Sequence, residues 1–549
     1  MSYKRFGLIL SALLLVGLFA ILTPSKATSA PRKLREIPLR HFRRACDNPK
    51  NGEAACHIQV VTDSAGKPLA SGTPSGGFGP DQIHNGYNLP CTPGGPVQSV
   101  CATPSLFGPQ VIGIVDAYNA PTIENDLNMY SENYGLPLCT RANGCLSIVN
   151  QNGGSSLPPS NSSWALETSL DVEVAHMMCQ TCKILLVEAN SASITDLGTA
   201  VNRAATLGAT SISNSYGATE WSSESAYDPY YNHPGIAVIA STGDDGYGAS
   251  YPAANPQVIA VGGTTLSLFQ DNNYSSENVW SGTGSGCSSY ENASSFQTNI
   301  QNWSLTGCSS KRGIADLSAD ADPNTGVSVY DSTSYQGSRG WWIVGGTSLA
   351  SPIVAGTFAL SGNTYQNPAS YLYANYNLAN FRDITNGSNG TCKTIMCHAG
   401  NGYDGPTGLG SLNGLSIFGT NSGITPTPSA TPTPTLSQTP TPSPTPTLTP
   451  TPPSGDTISP TVSITSPQNN STVRHSTSQI IRANAVDNVK VTKVEFYVNG
   501  SLLSTDNSSP YVSIWNVPST RNKTYSLSAK AYDPSGNIGV SQTITVTSQ

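Results

Sequence analysis

The stretch Val344–Gly356, VGGTSLASPIVAG, places hydroxyl residues between a glycine turn and an apolar run. Two glycines precede Thr347 and Ser348, and the residues that follow are small or apolar with one proline. A serine held at the N-terminus of a buried helix can act as a nucleophile once a neighbouring base accepts its proton. The alternative is structural, because Ser and Thr are common caps of core helices.

A pair of carboxylates on a predicted helix is the second element. In ALETSLDVEVAHMM, Glu167 and Asp171 are four residues apart, so a helix would place both on one face, about a turn from each other. The rest of this segment is mostly apolar or small, and the pair lacks nearby cations in the sequence. Neighbouring carboxylates in a partly dry site split their pKa values, so that one holds a proton which the other releases. The alternative is an ordinary solvated pair on a helix surface.

A third carboxylate follows a predicted strand in IAVIASTGDDGYG. The apolar run ends at Ala240, and Asp244 follows in a glycine turn, which would place its carboxyl group at the mouth of a sheet. The alternative is a turn aspartate that accepts hydrogen bonds from the neighbouring backbone.

Strand and helix patterns alternate around these residues. QVIGIVDAY and GIAVIASTG are short apolar runs typical of buried parallel strands, whereas SWALETSLDVEVAHMM and SITDLGTAVNRAATLG show helical periodicity. Such alternation predicts an α/β fold with a parallel sheet and a site at the carboxyl ends of its strands.

Taken in order, the three elements resemble the motifs of the sedolisins, the serine-carboxyl peptidases that share the subtilisin fold. GGTSLASP matches the Gly-Thr-Ser-x-x-x-Pro signature of subtilisin-like serine peptidases, and Glu-x-x-x-Asp and Gly-Asp-x-Gly precede it. SNSYGATEW, YPAANPQVIAVGGTTL and IADLSADADPNTGVSVY also look like sedolisin segments. The resemblance covers residues 78–419 and implies a subtilisin-like parallel sheet flanked by helices.

The resemblance implies a role for each of these residues. Ser348 would be the nucleophile and Glu167 its general base, while Asp171 would orient and buffer Glu167. Asp244 would donate a hydrogen bond to the oxyanion, and the Gly-Asp-x-Gly register favours it over the adjacent Asp245. Because Asp244 must be neutral to donate while Glu167 must accept a proton, we expect an acidic optimum, roughly pH 3 to 5 from ordinary carboxyl pKa values.

Two other functions were weighed against this one. An ordinary subtilase takes its base from a His-Gly-Thr motif, and none of the seven histidines here is followed by glycine. Asp116 in IVDAY stands where such an enzyme would have its catalytic aspartate, and without a histidine partner we expect it to be structural. The second alternative is a catalytically inactive, peptidase-like surface or binding protein, although all four expected catalytic positions carry competent residues.

A glycine-rich stretch near the end of the region of resemblance suits calcium. Asp383 in FRDITNGSNG and Asp404 in HAGNGYDGPTGLG offer carboxylates, and calcium takes six or more oxygen ligands. The resemblance implies carbonyl ligands from Ile384, Gly400 and Gly402 and one structural Ca²⁺ ion. The alternative is a glycine-rich turn closed by a nearby cysteine pair.

The chain of 549 residues is long enough for several domains. A Thr/Pro-rich tract favours an extended spacer, and TKVEFYVNGSLLSTD, with its Asn499-Gly500 turn, predicts a hairpin of an all-β sandwich that resembles bacterial Ig-like modules. The predicted organisation is a signal peptide (1–30), a short prosegment or N-terminal extension (31–105), a sedolisin-like domain (106–420), a linker (421–455) and an Ig-like β-sandwich (456–549). Sedolisins carry a long folded propeptide, so the short 31–105 region leaves the mature N-terminus unassigned.

Several features predict export. Lys4 and Arg5 precede the apolar run GLILSALLLVGLFAIL and the small residues of SKATSA, as in a secretory signal peptide, with a retained membrane anchor as the alternative. The 12 cysteines fall into close pairs, for which nearest-neighbour disulfides are the simplest scheme. CQTC has no second CxxC to complete a zinc site. The pairs are Cys46/Cys56, Cys91/Cys101, Cys139/Cys145, Cys179/Cys182, Cys287/Cys308 and Cys392/Cys397.

Composition narrows the expected partners. Only 11% of the residues are charged and the net charge is -7, which gives no nucleic-acid footprint. We therefore expect a secreted, extracellular monomer that acts on protein or peptide substrates and has no membrane partner after signal removal. Contact with a cell wall or polysaccharide is the role considered for the C-terminal domain.

Overall fold

The computed structural model describes residues 32–50, 52–74, 76–89, 110–362, 365–418 and 459–549, the last range without 468, 477, 488–489 and 507–510. The predicted signal peptide, the Cys91/Cys101 pair and the predicted linker lie outside the described residues. Within the described ranges, no helix combines the length and the apolar character needed to cross a membrane.

The N-terminal region alternates strands and helices along the chain. Its first strands are β1 (His41–Arg44), β2 (Ala55–Cys56), β3 (Gln59–Thr62), β4 (Ala70–Ser71), β5 (Val111–Ala117), β6 (Leu146–Asn150) and β7 (Lys183–Ala189). The next are β8 (Ser211–Asn214), β9 (Tyr216–Thr219), β10 (Ala237–Ser241), β11 (Ser250–Tyr251), β12 (Ile259–Leu268), β13 (Tyr274–Val279) and β14 (Gly286–Asn292). The last are β15 (Lys311–Ile314), β16 (Leu317–Asp320), β17 (Val327–Tyr335), β18 (Ser338–Gly345), β19 (Phe381–Arg382) and β20 (Ser411–Leu412).

The helices of this region are α1 (Pro80–Gly86), α2 (Ile123–Tyr134), α3 (Ser162–Met178), α4 (Ile194–Thr206), α5 (Ser295–Thr298), α6 (Thr347–Ser361) and α7 (Pro368–Ala374). Short 3₁₀ turns occur at Glu224–Tyr230, Trp303–Leu305 and Ser416–Phe418.

A ten-stranded sheet organises the described part of this region. Its parallel strands follow the order β20-β16-β12-β10-β8-β5-β7-β6, and β13 and β19 pair antiparallel to β12 and β20. Strands β5 and β10 are almost entirely buried because helices cover the sheet, as is usual for parallel strands. The predicted α/β fold of subtilisin-like type is therefore confirmed.

Helix α3 carries the paired carboxylates into the interior. It begins after Asn161, whose side chain accepts hydrogen bonds from the N–H groups of Ser163 and Trp164. Every residue from Trp164 to Met178 is buried, so α3 is a core helix rather than an amphipathic surface helix.

Helix α6 begins at the serine motif and packs against α3. The residue before it, Gly346, has φ of +96°, a conformation that favours glycine. All residues of α6 are buried, and Gly356 approaches α3 so closely that an added Cβ would collide with the side chain of Met178.

The N-terminal strands belong to the same folded unit as the predicted peptidase domain. Strands β1, β3 and β4 form an antiparallel sheet with β17 and β18, while β2 pairs antiparallel with β9. The boundary predicted at residue 106 is therefore not a structural one for residues 41–71.

The C-terminal region is an all-β sandwich, as predicted. Its strands are β21 (Thr461–Ser466), β22 (Ser471–Val473), β23 (Ser478–Val486), β24 (Lys493–Val498), β25 (Ser501–Asp506), β26 (Tyr511–Asn516), β27 (Thr524–Tyr532), β28 (Ile538–Val540) and β29 (Ile544–Ser548). One sheet contains β21, β23 and β26, and the other contains β22, β24, β25, β27, β28 and β29. The predicted hairpin joins β24 to β25 through Asn499 and Gly500, whose φ values of 50° and 78° suit a two-residue turn.

The nearest-neighbour disulfide scheme is confirmed for the described cysteines. Each bridge closes a short loop, and Cys179–Cys182 is one of them, so its CxxC is oxidised. The bridges are Cys46–Cys56, Cys139–Cys145, Cys179–Cys182, Cys287–Cys308 and Cys392–Cys397.

The close packing of α6 on α3 gives the first prediction. Gly356→Val should lower the free energy of unfolding by about 1–3 kcal/mol, because two added methyl groups must displace Met178. Gly72→Val is the matched control, since nothing lies within 4 Å of a Cβ added there. Thermal unfolding of the two variants measures the difference, and equal midpoints would show that the helices are not tightly packed here.

Candidate active site

Ser348 lies in the first turn of α6 and is completely buried. Its hydroxyl donates a hydrogen bond to the backbone oxygen of Ser215, over 3.3 Å. Ser215 connects β8 to β9, at the carboxyl end of a parallel strand. The predicted nucleophile is therefore at the edge of the sheet where α/β proteins place their sites.

Glu167 and Asp171 lie in the middle of α3, and both are completely buried. The Asp171 Oδ1 atom accepts a hydrogen bond of 2.8 Å from the Ser215 hydroxyl. Both carboxylate oxygens of Glu167 and the Oδ2 atom of Asp171 are buried without a hydrogen bond of normal geometry. Ser215 thus links this pair to Ser348.

The environment of Glu167 favours its protonated form. Desolvation by burial raises its pKa well above the ordinary value, and the nearby carboxyl groups of Asp171 and Asp116 raise it further. The Ser348 hydroxyl lies beside Glu167 and acts in the opposite direction on its pKa. The structure therefore brings the proposed base and nucleophile together.

Asp244 meets the start of α6 from the turn after β10. Its Oδ1 atom accepts hydrogen bonds from the N–H and the hydroxyl of Thr347, each of 2.8 Å. Its Oδ2 atom accepts a hydrogen bond of 3.0 Å from the Gln59 side chain. Burial raises the pKa of Asp244 to about 6, and the hydrogen bonds from Thr347 and Gln59 limit that rise.

The neighbouring Asp245 has a different environment. Its side chain is 84% exposed and forms an ion pair of 2.6 Å with Arg44. The structure therefore places Asp244, and not Asp245, beside the residue that precedes Ser348.

Asp116 joins the acidic pair, which the sequence interpretation did not anticipate. It lies near the carboxyl end of β5, is completely buried, and neither of its oxygens has a hydrogen bond of normal geometry. Burial raises its pKa to about 7, and its charge raises the pKa of both Glu167 and Asp171. An aspartate at the end of a buried strand was the available signal, but only the fold shows that the strand ends beside α3.

A histidine base is not part of this arrangement in the described residues. The imidazole of His57 is near the site, but its Nδ1 atom is bonded to the Ser241 hydroxyl at 2.7 Å. The rings of His84 and His176 bond instead to the backbone oxygens of Met177 and Pro137.

The predicted calcium ligands lie together in a separate loop. The Asp383 Oδ2 atom accepts a hydrogen bond of 3.0 Å from the N–H of Gly402, whereas its Oδ1 atom is buried without a partner. Asp404 is buried and accepts a hydrogen bond of 3.0 Å from the N–H of Gly400. Burial raises its pKa to about 7, and the charge of Asp383 contributes to that rise, so the two carboxyl groups are close. Ile384 follows Asp383 directly and is also buried.

Comparison with known proteins places the two domains in recognisable classes. Residues 159–401 match the model of the subtilase family, and residues 460–529 match that of the bacterial Ig domain. Pseudomonas sedolisin, a serine-carboxyl proteinase solved with two molecules of pseudo-iodotyrostatin, superposes with a TM-score of 0.50 at 26% identity. That superposition covers 63% of this chain and 96% of the sedolisin chain.

Curated relatives point to the same group. Sedolisin from a Pseudomonas species is 36% identical over 183 residues, which is 30% of this chain and 29% of the relative. Kumamolisin from a Bacillus species is 32% identical over 204 residues, or 33% and 36% of the two chains. Xanthomonalisin from a Xanthomonas species is 28% identical over 370 residues, or 55% and 42%. This chain thus spans between about a quarter and a half of the length of these relatives.

The fold and the serine motif define a subtilisin-like serine peptidase architecture. Within that class, the glutamate–aspartate pair and the comparisons confirm the resemblance to the sedolisins, the serine-carboxyl peptidases, with a bacterial Ig-like domain at the C-terminal end.

The buried acids predict a protein that is more stable in acid. A carboxyl group whose pKa rises on folding stabilises the fold fully below its unfolded pKa, and this contribution is lost as the pH rises through the folded pKa. For Asp116 the interval runs from 3.8 to about 7, which corresponds to roughly 4 kcal/mol. The free energy of unfolding should therefore fall between pH 4 and pH 7.

Asp116→Asn tests this directly, since the amide cannot ionise. The variant should lose stability less steeply over that pH interval, as measured by thermal unfolding at a series of pH values. Glu132→Gln, an exposed change of the same kind in α2, should leave the slope unaltered. A wild-type protein equally stable at pH 4 and pH 7 would contradict the prediction.

Proposed function

We propose that this protein is a serine-carboxyl endopeptidase that hydrolyses peptide bonds in proteins under acidic conditions. The observation that carries the proposal is the convergence of Ser348 with Glu167, Asp171 and Asp244 in a buried site where Ser348 has no described histidine partner.

The proposed reaction uses each group once in each direction. Glu167 accepts the proton of the Ser348 hydroxyl as the Oγ atom attacks the substrate carbonyl carbon, and an acyl-enzyme forms when the amine leaves with that proton. Water then attacks the ester, and Ser348 regains its proton as the product acid departs. Asp171, bonded to Ser215, holds a neighbouring charge that favours the protonated form of Glu167 during this cycle.

Asp244 supplies the dependence on acid. Its carboxyl group can donate to the oxyanion only while it is protonated, and its pKa of about 6 means that this form is lost as the pH rises through that value. Activity should therefore decline on the alkaline side near pH 6, with the maximum in acid.

The direct test is digestion of a denatured protein at a series of pH values, with sequencing of the products. Ser348→Ala and Glu167→Gln should each reduce kcat by at least about a thousandfold, because they remove the nucleophile and its base. Ser351→Ala is the matched control on the same helix, since its hydroxyl bonds to Ser213 rather than to the site. Unchanged digestion by Ser348→Ala, or a rate that peaks at neutral pH, would contradict the proposal.

Export to the extracellular space is part of the proposal. It is supported by the predicted signal peptide and by the described disulfides, which persist in oxidising compartments. The substrates would be proteins or peptides, and the chain is proposed to act as a monomer. The Ig-like domain is proposed to contact a cell wall or polysaccharide.

A structural calcium ion is also proposed, held by Asp383 and Asp404 and by the carbonyl groups of Ile384, Gly400 and Gly402. The donor set fits, because calcium prefers oxygen ligands of this kind. The unpartnered Oδ1 atom of Asp383 and the mutual repulsion of two buried carboxyl groups are what a missing cation would leave behind. A bound ion would neutralise both groups and stabilise the loop.

Removal of calcium should therefore destabilise the protein. A calcium concentration of 100 times Kd adds about 2.7 kcal/mol to the free energy of unfolding, and a chelator should abolish that gain. Asp383→Asn should make the thermal midpoint insensitive to calcium, whereas the exposed Glu132→Gln should retain the response. A wild-type midpoint unaffected by both calcium and chelator would refute the site.

A further inference from the structure

An extended segment of this chain crosses the proposed active site. Ahead of His57, β2 pairs antiparallel with β9, so that Ala55 lies opposite Gly217 and Cys56 opposite Tyr216. Beyond His57, β3 pairs antiparallel with β18, with Gln59 opposite Gly345. The segment from Ala55 to Val60 is thus held by backbone pairing on both sides of the Ser348 motif.

Its centre lies against the nucleophile. The His57 N–H donates a hydrogen bond of 3.1 Å to the Ser215 backbone oxygen, and the Ser348 hydroxyl donates to the same oxygen. Strand pairing of this kind is how extended peptides bind to an exposed sheet edge.

The carbonyl group of His57 faces the start of α6. A Cβ added to Gly346 would collide with the His57 carbonyl oxygen and would lie 2.6 Å from the Asp244 Oδ2 atom. Gln59, two residues further on, donates to that same Asp244 oxygen. The His57 carbonyl therefore occupies the region between the nucleophile's helix and the proposed oxyanion donor.

The His57 ring fills a small pocket. Its Nδ1 atom bonds to the Ser241 hydroxyl at 2.7 Å, and a Cβ added to Gly217 would lie 2.7 Å from its Cε1 atom. Gly243 lies on the ring as well, 3.7 Å from Cε1 to an added Cβ. The pocket is thus bounded by glycine backbone and one hydroxyl, and it opens into a cavity of about 430 Å³.

The segment is built into the fold. The Cys46–Cys56 disulfide joins it to the preceding loop, and the Arg44–Asp245 ion pair of 2.6 Å holds that loop over the site. Strand β1 pairs antiparallel with β3 and adds a further attachment.

We propose that Ala55–Val60 occupies the substrate cleft as an intramolecular peptide ligand, and that the Ser241 pocket which holds the His57 ring selects a flat five-membered ring on the N-terminal side of the cleaved bond. This inference rests on the proposed peptidase function and adds to it a substrate preference and an internal competitor. A protein substrate must displace the segment, and the residue before its cleaved bond must enter the pocket that His57 leaves.

The preference can be measured with uncharged rings in the position of the histidine. Peptides that differ only before the cleaved bond would carry 4-thiazolylalanine, which keeps an acceptor nitrogen where histidine has Nδ1, 3-thienylalanine, which lacks it, or leucine. The wild-type chain should cleave the thiazolyl peptide with a kcat/KM on the order of fivefold higher than the thienyl peptide, the size expected for one hydrogen bond. Leucine should be the poorest of the three.

Ser241→Ala should remove the difference between the thiazolyl and thienyl peptides while both stay better than leucine. Ser463→Ala, an exposed change in the Ig-like domain, is the matched control and should keep the ratio. Equal rates for all three peptides in the wild type, or a ratio unchanged in Ser241→Ala, would overturn the proposal.

Internal competition provides an independent measurement. His57→Ala should raise the apparent affinity for the leucine peptide by on the order of tenfold, because the segment then competes less well for the cleft. His475→Ala in the C-terminal domain should have no effect. An unchanged affinity in a folded His57→Ala variant overturns the competitor role while Ser348-dependent digestion still stands. If neither the wild type nor His57→Ala cleaves any peptide, the peptidase function fails and this inference fails with it.

Discussion

The burial of three carboxyl groups around one serine is the constraint on which the rest of the site depends. Glu167, Asp171 and Asp116 are completely buried, and the pKa of each is raised first by desolvation and then by the other acids or hydrogen-bonding neighbours. Such a cluster is tolerable only while it holds protons, because an unpaired buried charge costs several kcal/mol. The same physics makes acid the natural working condition of this fold.

The supporting structure keeps this cluster dry and close to the nucleophile. Helix α3 is buried along nearly its whole length, and α6 approaches it at Gly356, where no side chain intervenes. Gly346, with its positive φ, allows the chain to turn into α6 directly beneath the His57 carbonyl. The glycines of the serine motif are therefore explained by close approach as much as by the turn itself.

The N-terminal segment changes how the site is understood. Its strands complete the sheet of β17 and β18, so it contributes to the fold that surrounds the site it covers. Gln59 bonds to Asp244, and His57 takes the backbone position beside Ser348. One short stapled segment thus couples stability, access to the cleft and the shape of the pocket.

Much of this protein was predictable from local patterns. Apolar runs indicated β5 and β10, the Asn499-Gly500 turn indicated its hairpin, and close cysteine spacing indicated the described bridges, because each depends on residues near one another in the chain. The motifs also named Ser348, Glu167, Asp171 and Asp244, since their spacing within helices and turns is a local property. The tertiary structure alone decided that Asp116 joins the acids, that Ser215 links Asp171 to Ser348, and that His57 enters a pocket beside Gly217. Those contacts join strands and loops that are distant in sequence, and their side chains carry no local pattern that specifies the partner.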